Sequence, residues 1–432
     1  MQERKIIMSF DKFKFHNKIL ANVEALGYTE ATPIQAQSIQ PIMDGKDVMG
    51  LAQTGTGKTA AFILPILQRL ILEPRKNIRV LIIAPTRELT EQTNKVIAQL
   101  GRKTGIQGLS IYGGVNIRSQ ITSLKKGVDI ITACPGRLLD HINRKTINVS
   151  QVDVLILDEA DHMFDMGFLP DIKRIVNHLP SQRQTLMFSA TMPKDIRVLA
   201  DKVLNNPLTV KIGHIAPVSS VGHSFYPVGT DRKNDLLKNI LENHNIGPVL
   251  VFTRTKARAK RVAQHLEKSG YEATALHGNL TQNNRRKALE GFGRGKYKIL
   301  VATDVAARGI DVQGVSHVIN YDIPDTVDAY THRIGRTGRA SKTGDAFTFV
   351  TGSDNGPASS IRSILGDRLK HCVLKEFSSS SYSNESQTQK KYRNGQINNA
   401  RTGEKNRPKF HSKPKVKHFN RQGGRPSQQP IG

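Results

Sequence analysis

A chain of 432 residues has room for two or three domains, but its apolar share of 38% is low for a chain packed throughout. Sixty-four Lys and Arg against 36 Asp and Glu leave a net charge of +28, which favours a polyanion as partner, nucleic acid ahead of acidic membrane. No apolar run nears the roughly 18 residues of a spanning helix, and the two distant cysteines, Cys134 and Cys372, exclude a disulfide scaffold and a cysteine zinc site. Met1–Phe10 lacks an apolar secretory core, so a reducing cytoplasm is the expected compartment.

The short run Asp47–Leu51 leads into AQTGTGKT (Ala52, Gln53, Thr54, Gly55, Thr56, Gly57, Lys58, Thr59) and then the apolar helix Ala60–Leu72. Gly55 and Gly57 let backbone N–H groups curl around a triphosphate, Lys58 can reach its outer oxygens, and the Thr59 hydroxyl can ligate Mg2+. A strict phosphate loop has Gly where this chain has Ala52, so the context carries the reading.

Val80–Ala84, Val128–Ala133, Val152–Leu157 and Thr185–Phe188 read as buried strands, with helices over Glu88–Leu100 and Val115–Lys126 between them. Asp158-Glu159-Ala160-Asp161 follows the third strand directly. At the C-terminal edge of a parallel strand, Asp158 can hold the metal and Glu159 can orient or deprotonate an attacking water. The plainer alternative is an acidic helix N-terminus, favoured by the helix dipole.

Asn205–Ser220, with two prolines and no helical period, marks the domain boundary. Beyond it the rhythm resumes. Val249–Thr253, Thr274–Leu276, Ile299–Ala302, His317–Tyr321 and Phe347–Val350 are expected strands, and Arg258–Ser269 and Asn284–Phe292 are expected helices.

Tyr330–Arg339 (YTHRIGRTGR) gathers four cationic or titratable side chains, with Arg336 and Arg339 three apart on one helical face, suited to a single phosphoryl group. A basic surface for RNA is the alternative. The halves are unequal: the first holds the loop and carboxylates, the second the arginines, so the site would be completed when the two close. Ser378–Gly432 carries twelve Lys/Arg against two Glu and is expected to be a disordered basic tail, or else a solvated spacer.

The expected architecture is α/β: two domains with parallel sheets covered by helices on both faces. They span residues 1–212 and 221–377, with a linker at 213–220 and the tail at 378–432.

Over roughly Phe10 to Leu374 these strings resemble those of the DEAD-box RNA helicases. The resemblance implies two tandem RecA-like domains, ATP and Mg2+, and local, non-processive opening of RNA duplexes. Gly27–Gln35 (GYTEATPIQ) is similar to the family's adenine-sensing motif, which assigns Gln35 to adenine and the upstream Phe10 to stacking on it. AQTGTGKT is the family's own form of the loop. Pro85, Thr86, Arg87, Gly113, Gly114 and Arg137 then become RNA contacts, with Cys134 where the family usually has Thr.

By the same resemblance, Asp161, Ser189 and Thr191 link hydrolysis to strand opening. Val251–Lys256 (VFTRTK) and Gln282–Arg285 (QNNR) match further motifs, as does Ala302–Asp311, in which Thr303 meets an RNA phosphate and Gly309 and Asp311 the nucleotide. Arg336 and Arg339 would touch the γ-phosphate, while His332 and Arg333 would bridge to the first domain. The start at Met8 and the tail are most similar to the bacterial RhlE-type branch, which makes Met1–Ile7 an extension.

Ribosomal precursors and RNA-decay proteins are partners such a protein can have, as a monomer away from membranes. A passive RNA scaffold would be expected to have a broken site, and Lys58, Asp158, Glu159 and Arg339 are all present. A DNA helicase on the same fold is opposed by the adenine motif and the DEAD string, although phosphate contacts read either backbone.

Overall fold

The computed structural model describes residues 8–53, 55–73, 77–212, 221–244, 246–307, 314–338 and 343–377. The expectations for Met1–Ile7, Thr54, the 213–220 linker, Gly309, Asp311, Arg339 and the tail lie outside these residues.

Among the described residues, fourteen strands form two sheets. In the first lobe they are β1 (Val48–Leu51), β2 (Val80–Ile83), β3 (Gly108–Ile111), β4 (Ile130–Ala133), β5 (Val154–Asp158), β6 (Gln184–Ser189) and β7 (Leu208–Lys211). The second lobe has β8 (Val221–Pro227), β9 (Val249–Phe252), β10 (Ala273–Leu276), β11 (Ile299–Ala302), β12 (His317–Asn320), β13 (Gly344–Val350) and β14 (Leu369–His371). The strand orders are β3-β4-β2-β5-β6-β1-β7 and β10-β11-β9-β12-β13-β8-β14, with every described pairing parallel. The two sheets fall on either side of residues 213–220.

Continuous apolar strands are what two covered faces require. Val80, Ile82, Val154, Ile156, Leu186 and Phe188 enter one core of the first lobe, and Leu81, Ile83, Leu155, Leu157 and Met187 enter the other. Each strand thus sends alternate side chains to opposite cores. The helix Arg87–Leu100 shows how covering helices start: Thr86 Oγ1 accepts from Leu89 N at 3.2 Å, capping the first turn. Its buried Leu89, Thr93, Ile97 and Leu100 then form one stripe.

The sequence pattern misses four strands. Leu208–Lys211 lies inside the stretch read as the boundary; it pairs only with β1 and buries only Val210, so it carries no apolar run. Gly108–Ile111 and Leu369–His371 are likewise edge strands. Val221–Pro227 is interior, but its His and Ser disguise it; His223 is buried because its Nδ1 pairs with the Tyr330 hydroxyl at 2.8 Å.

Strand order decides what can meet. In a parallel sheet, loops for ligands gather beyond the C-terminal strand ends. Along the first sheet, β3, β4 and β2 lie to one side and β5, β6 and β1 to the other. The sequence therefore delivers two neighbouring sites to a single edge.

Candidate active site

The phosphate loop rises from β1 into the helix Lys58–Leu72, and Gly55 and Gly57 both take left-handed φ values of +85° and +92°. At Gly57 a Cβ would come within 2.6 Å of Gln35 Nε2, so glycine also permits the close approach of the adenine-motif amide. Gln35 accepts from Thr32 N at 2.9 Å and donates to Gly57 O at 3.1 Å, which ties that motif to the loop. Thr56 donates to Gln53 O at 2.7 Å, closing the turn. Lys58 is buried, with Nζ 2.8 Å from Ala52 O.

A cleft of about 360 Å³, lined by Gly55, Gly57, Lys58, Thr59, Asp158 and Glu159 with Gln35, Tyr28 and Glu30 at one end, is large enough for a nucleotide. Phe10 is not in its wall. That ring is buried against Phe13 and Tyr28, each 6.3 Å away, and the aromatic lining the cleft is Tyr28, 37% exposed. The aromatic placed to face a ligand there is thus Tyr28, the residue next to Thr29 within the Gly27–Gln35 string, and not Phe10. The apolar ring is better satisfied in the core, while the phenol keeps its hydroxyl near water.

Asp158 ends β5, and Glu159 adopts φ 53°, ψ 54°, a left-handed conformation that is strained for a residue with a side chain and that re-aims the carboxylates at the helix start. Burial pushes the Asp158 carboxyl up to about 7 against the pull of Lys58, and its Oδ1 is buried without a hydrogen-bond partner. Burial also works to raise Glu159, but His162, Lys58 and Arg336 outweigh it and hold the group well below the usual carboxylate range. Two adjacent carboxyls are thus driven apart, one able to accept a cation and one fixed as an anion.

Asp161 joins this strand to the next. Its Oδ2 accepts from Ala190 N at 3.1 Å, Thr191 N at 2.9 Å and Thr191 Oγ1 at 3.1 Å, and its own N–H donates to Ser189 Oγ at 3.2 Å. The expected coupling residues Asp161, Ser189 and Thr191 therefore form one network. These bonds tie the end of β5 to the end of β6.

Within the first lobe Glu159 Oε2 is 2.8 Å from His162 Nδ1, and across the lobes His162 Nε2 is 3.3 Å from His332 Nδ1. His162 went unmarked in the sequence, since its role depends on a partner 170 positions away. Arg336 is buried and close enough to depress Glu159. Arg333, expected to bridge to the first domain, instead turns inward. It forks onto Asp304 at 2.6 and 2.7 Å, donates to Asn320 Oδ1 and Asp322 O, and lies over Phe252. Such a buried guanidinium needs all its donors answered within its own lobe. A second bridge, Arg285 Nε to Glu88 Oε1 at 2.7 Å, comes from the QNNR string; it is close as an ion pair but not aligned as a hydrogen bond.

The residues read as RNA contacts lie beyond the ends of β2, β3 and β4, the half of the edge away from the nucleotide cleft. Pro85, Thr86 and Arg87 follow β2. Gly113 and Gly114 follow β3, and at Gly114 (φ +81°) a Cβ would collide with the Arg87 guanidinium. Arg137 Nη1 donates to Val115 O and Gln120 Oε1, both at 3.2 Å. Cys134 Sγ lies 3.4 Å from Thr90 Oγ1, and burial pushes the thiol up to about 11, so it is neutral. In the second lobe Thr303 follows β11 and is buried. A cleft of about 680 Å³ lined by Lys256, Lys260, Lys287 and Tyr297 joins Lys256 of the VFTRTK string to two ammonium groups that no motif had marked, Lys260 and Lys287.

Residues 32–199 match the family described as DEAD/DEAH box helicase, and residues 232–341 match the helicase conserved C-terminal domain. The chain is 43% identical over 373 residues to the DEAD-box ATP-dependent RNA helicase CshA of Bacillus subtilis (strain 168), covering 85% of this chain and 75% of that one. It is 45% identical over 348 residues to the ATP-dependent RNA helicase CshA of Listeria monocytogenes, covering 80% and 67%. A solved structure of S. cerevisiae Dbp5 bound to RNA and ADP BeF3 superposes with a TM-score of 0.75 at 28% identity, covering 89% of this chain and 99% of that one. These relatives carry the CshA name, and the expected RhlE-type branch is not supported.

Proposed function

The chain belongs to the DEAD/DEAH box helicase family, and from that premise we infer that it is an ATP-dependent RNA helicase whose ATP site draws on both lobes. One observation carries the reading. The anionic Glu159 beside the phosphate loop is held by His162, which meets His332, while Arg336 of the second lobe acts on the same carboxylate.

Each side chain has a task in this account. Gln35 keeps one amide hydrogen and one oxygen lone pair beyond its bonds to Thr32 and Gly57, the donor–acceptor pair that adenine's edge requires. Lys58 supplies positive charge to the outer phosphates, and the glycine-shaped loop supplies N–H groups. Mg2+ fits here, because Asp158 presents an oxygen that is buried without a partner and the Thr59 hydroxyl lines the same cleft. When bound, that ion neutralises the charge developing on the transferred phosphoryl group. Glu159, fixed as an anion, orients the attacking water, and His162 holds the carboxylate in position. Arg336 adds charge from the second lobe, so rapid hydrolysis needs the lobes together.

RNA lies across the neighbouring strand ends, on Arg87, Gly114 and Arg137, and along the lysine cleft of the second lobe. Asp161, bonded to the loop after β6, transmits the state of the nucleotide toward it. The proposal extends to structured RNA without sequence preference, handled by a monomer in the cytoplasm. The two free thiols support a reducing compartment, and among the described residues no helix is long and apolar enough to cross a membrane.

ATP turnover with and without RNA tests the reading. RNA should accelerate hydrolysis of ATP but not GTP, and Lys58→Ala should abolish it. Equal rates with and without RNA would contradict the proposal.

A further inference from the structure

His162 and His332 bring two imidazoles from opposite lobes to one point, beside the carboxylate of Asp161. His162 Nδ1 faces the Glu159 carboxylate at 2.8 Å, so that nitrogen carries the proton and Nε2 presents its lone pair. That lone pair accepts from His332 Nδ1, 3.3 Å away, with the rings edge-on at 87° and centroids 4.7 Å apart; a bound ion takes the place of the shared proton, which moves to the other His332 ring nitrogen or to solvent. Two nitrogens each about 2.0–2.1 Å from a tetrahedral zinc ion stand about 3.3–3.4 Å apart. The observed separation is therefore one edge of such a site.

The Asp161 carboxylate offers a third ligand, all three ligand atoms lying within 4.8 Å of one another. Its Oδ2 accepts from Ala190 and Thr191 and its Oδ1 from His162 N at 3.0 Å, and a movement of at most about 1.5 Å closes every pair to the tetrahedral edge. Glu159 already plays the outer part of a carboxylate–histidine–metal arrangement, fixing tautomer and ring orientation.

We propose that Asp161, His162 and His332 form a site for Zn2+ or a similar borderline transition ion, which clamps the two lobes and slows the ATP cycle. Two imidazole donors select such an ion over Mg2+, which demands oxygen ligands and octahedral geometry. Three protein ligands leave one position for water or an anion. The clamp is separate from the cation on Asp158, since it uses neither that carboxylate nor the phosphate loop.

Cobalt reports on the site directly. Co2+ is titrated into the full chain without nucleotide, in excess Mg2+, and the visible ligand-field absorption is recorded. The expected result is the strong absorption of four-coordinate cobalt, saturating at one ion and reversed by Zn2+. His162→Asn and His332→Asn should each weaken binding at least tenfold, with circular dichroism confirming the fold. His332 is half-buried, so its variant keeps the test decisive if His162→Asn fails to fold. Zn2+ should also inhibit wild-type RNA-stimulated hydrolysis over the range that displaces cobalt. Weak six-coordinate absorption, full signal retained in a folded variant, or turnover indifferent to zinc would overturn the proposal.

Discussion

Replacing Glu159 with glutamine removes one charge and little volume. The glutamine oxygen can still accept from His162 Nδ1, which the native carboxylate meets at 2.8 Å, so the side chain should stay in place. What disappears is the anion that His162, Lys58 and Arg336 stabilise despite burial. Its loss also removes a like charge beside Asp158, whose carboxyl stands at about 7 partly on that account. Folding should therefore be little affected.

A positioned acid–base group contributes about 10²–10⁴ in rate, or about 3–5.5 kcal/mol of barrier at about 1.4 kcal/mol per decade. We expect kcat for RNA-stimulated hydrolysis to fall by that factor while KM for ATP moves by less than about threefold, since the loop contacts are untouched. Phosphate release at saturating RNA measures the first. Dissociation of labelled RNA in the presence of ATP measures the second consequence, a long-lived closed complex. A Glu159→Gln rate within about threefold of the native one would refute the assigned role.

Gly114→Ala combines a left-handed φ of +81° with a methyl group in the place of the Arg87 guanidinium, so RNA affinity should drop about tenfold while nucleotide binding holds; fluorescence anisotropy with each ligand checks this. His141 is buried between Thr146 and Gln120, and burial, aided by Arg137, lowers its pKa from the ordinary 6.5. The unfolded chain then binds the extra proton, so stability is present at neutral pH and falls as pH drops below about 6.5; thermal melts from pH 5 to 7.5 should show this slope flattened in His141→Gln. Removing residues 378–432 takes away a net +10, twelve Lys/Arg against two Glu. If half those charges engage phosphates, the slope of log affinity against log salt should become shallower by roughly 3–4, with maximal ATPase unchanged.

Local chemistry was legible because it needs adjacent residues. The loop and the DEAD string are each one unbroken run, and the structure sets residues of both in one cleft. Buried parallel strands were equally plain, since two covered faces leave an unbroken apolar run such as Val80–Ile83. Edge strands were not: Leu208–Lys211 buries one residue in four and reads as loop. Long-range pairings left no trace either. His162 looks like any polar helix residue until His332 is set against it, and Glu88 gives no sign of Arg285. Arg333 misled because its neighbours face the cleft, whereas its own helical position points it at Asp304 in the core of the second lobe. Phe10 and Tyr28 are both aromatic, and only packing decides which one reaches the pocket.

The central claim is that ATP held between two lobes drives the parting of RNA strands. Release of a labelled strand from a short RNA duplex, followed by fluorescence in excess trap, tests it most directly. The account predicts strand release by the native chain with ATP and Mg2+, none without nucleotide, and none by Lys58→Ala. Release that is equally fast without ATP, or ATP hydrolysis under RNA stimulation with no strand released, would contradict it.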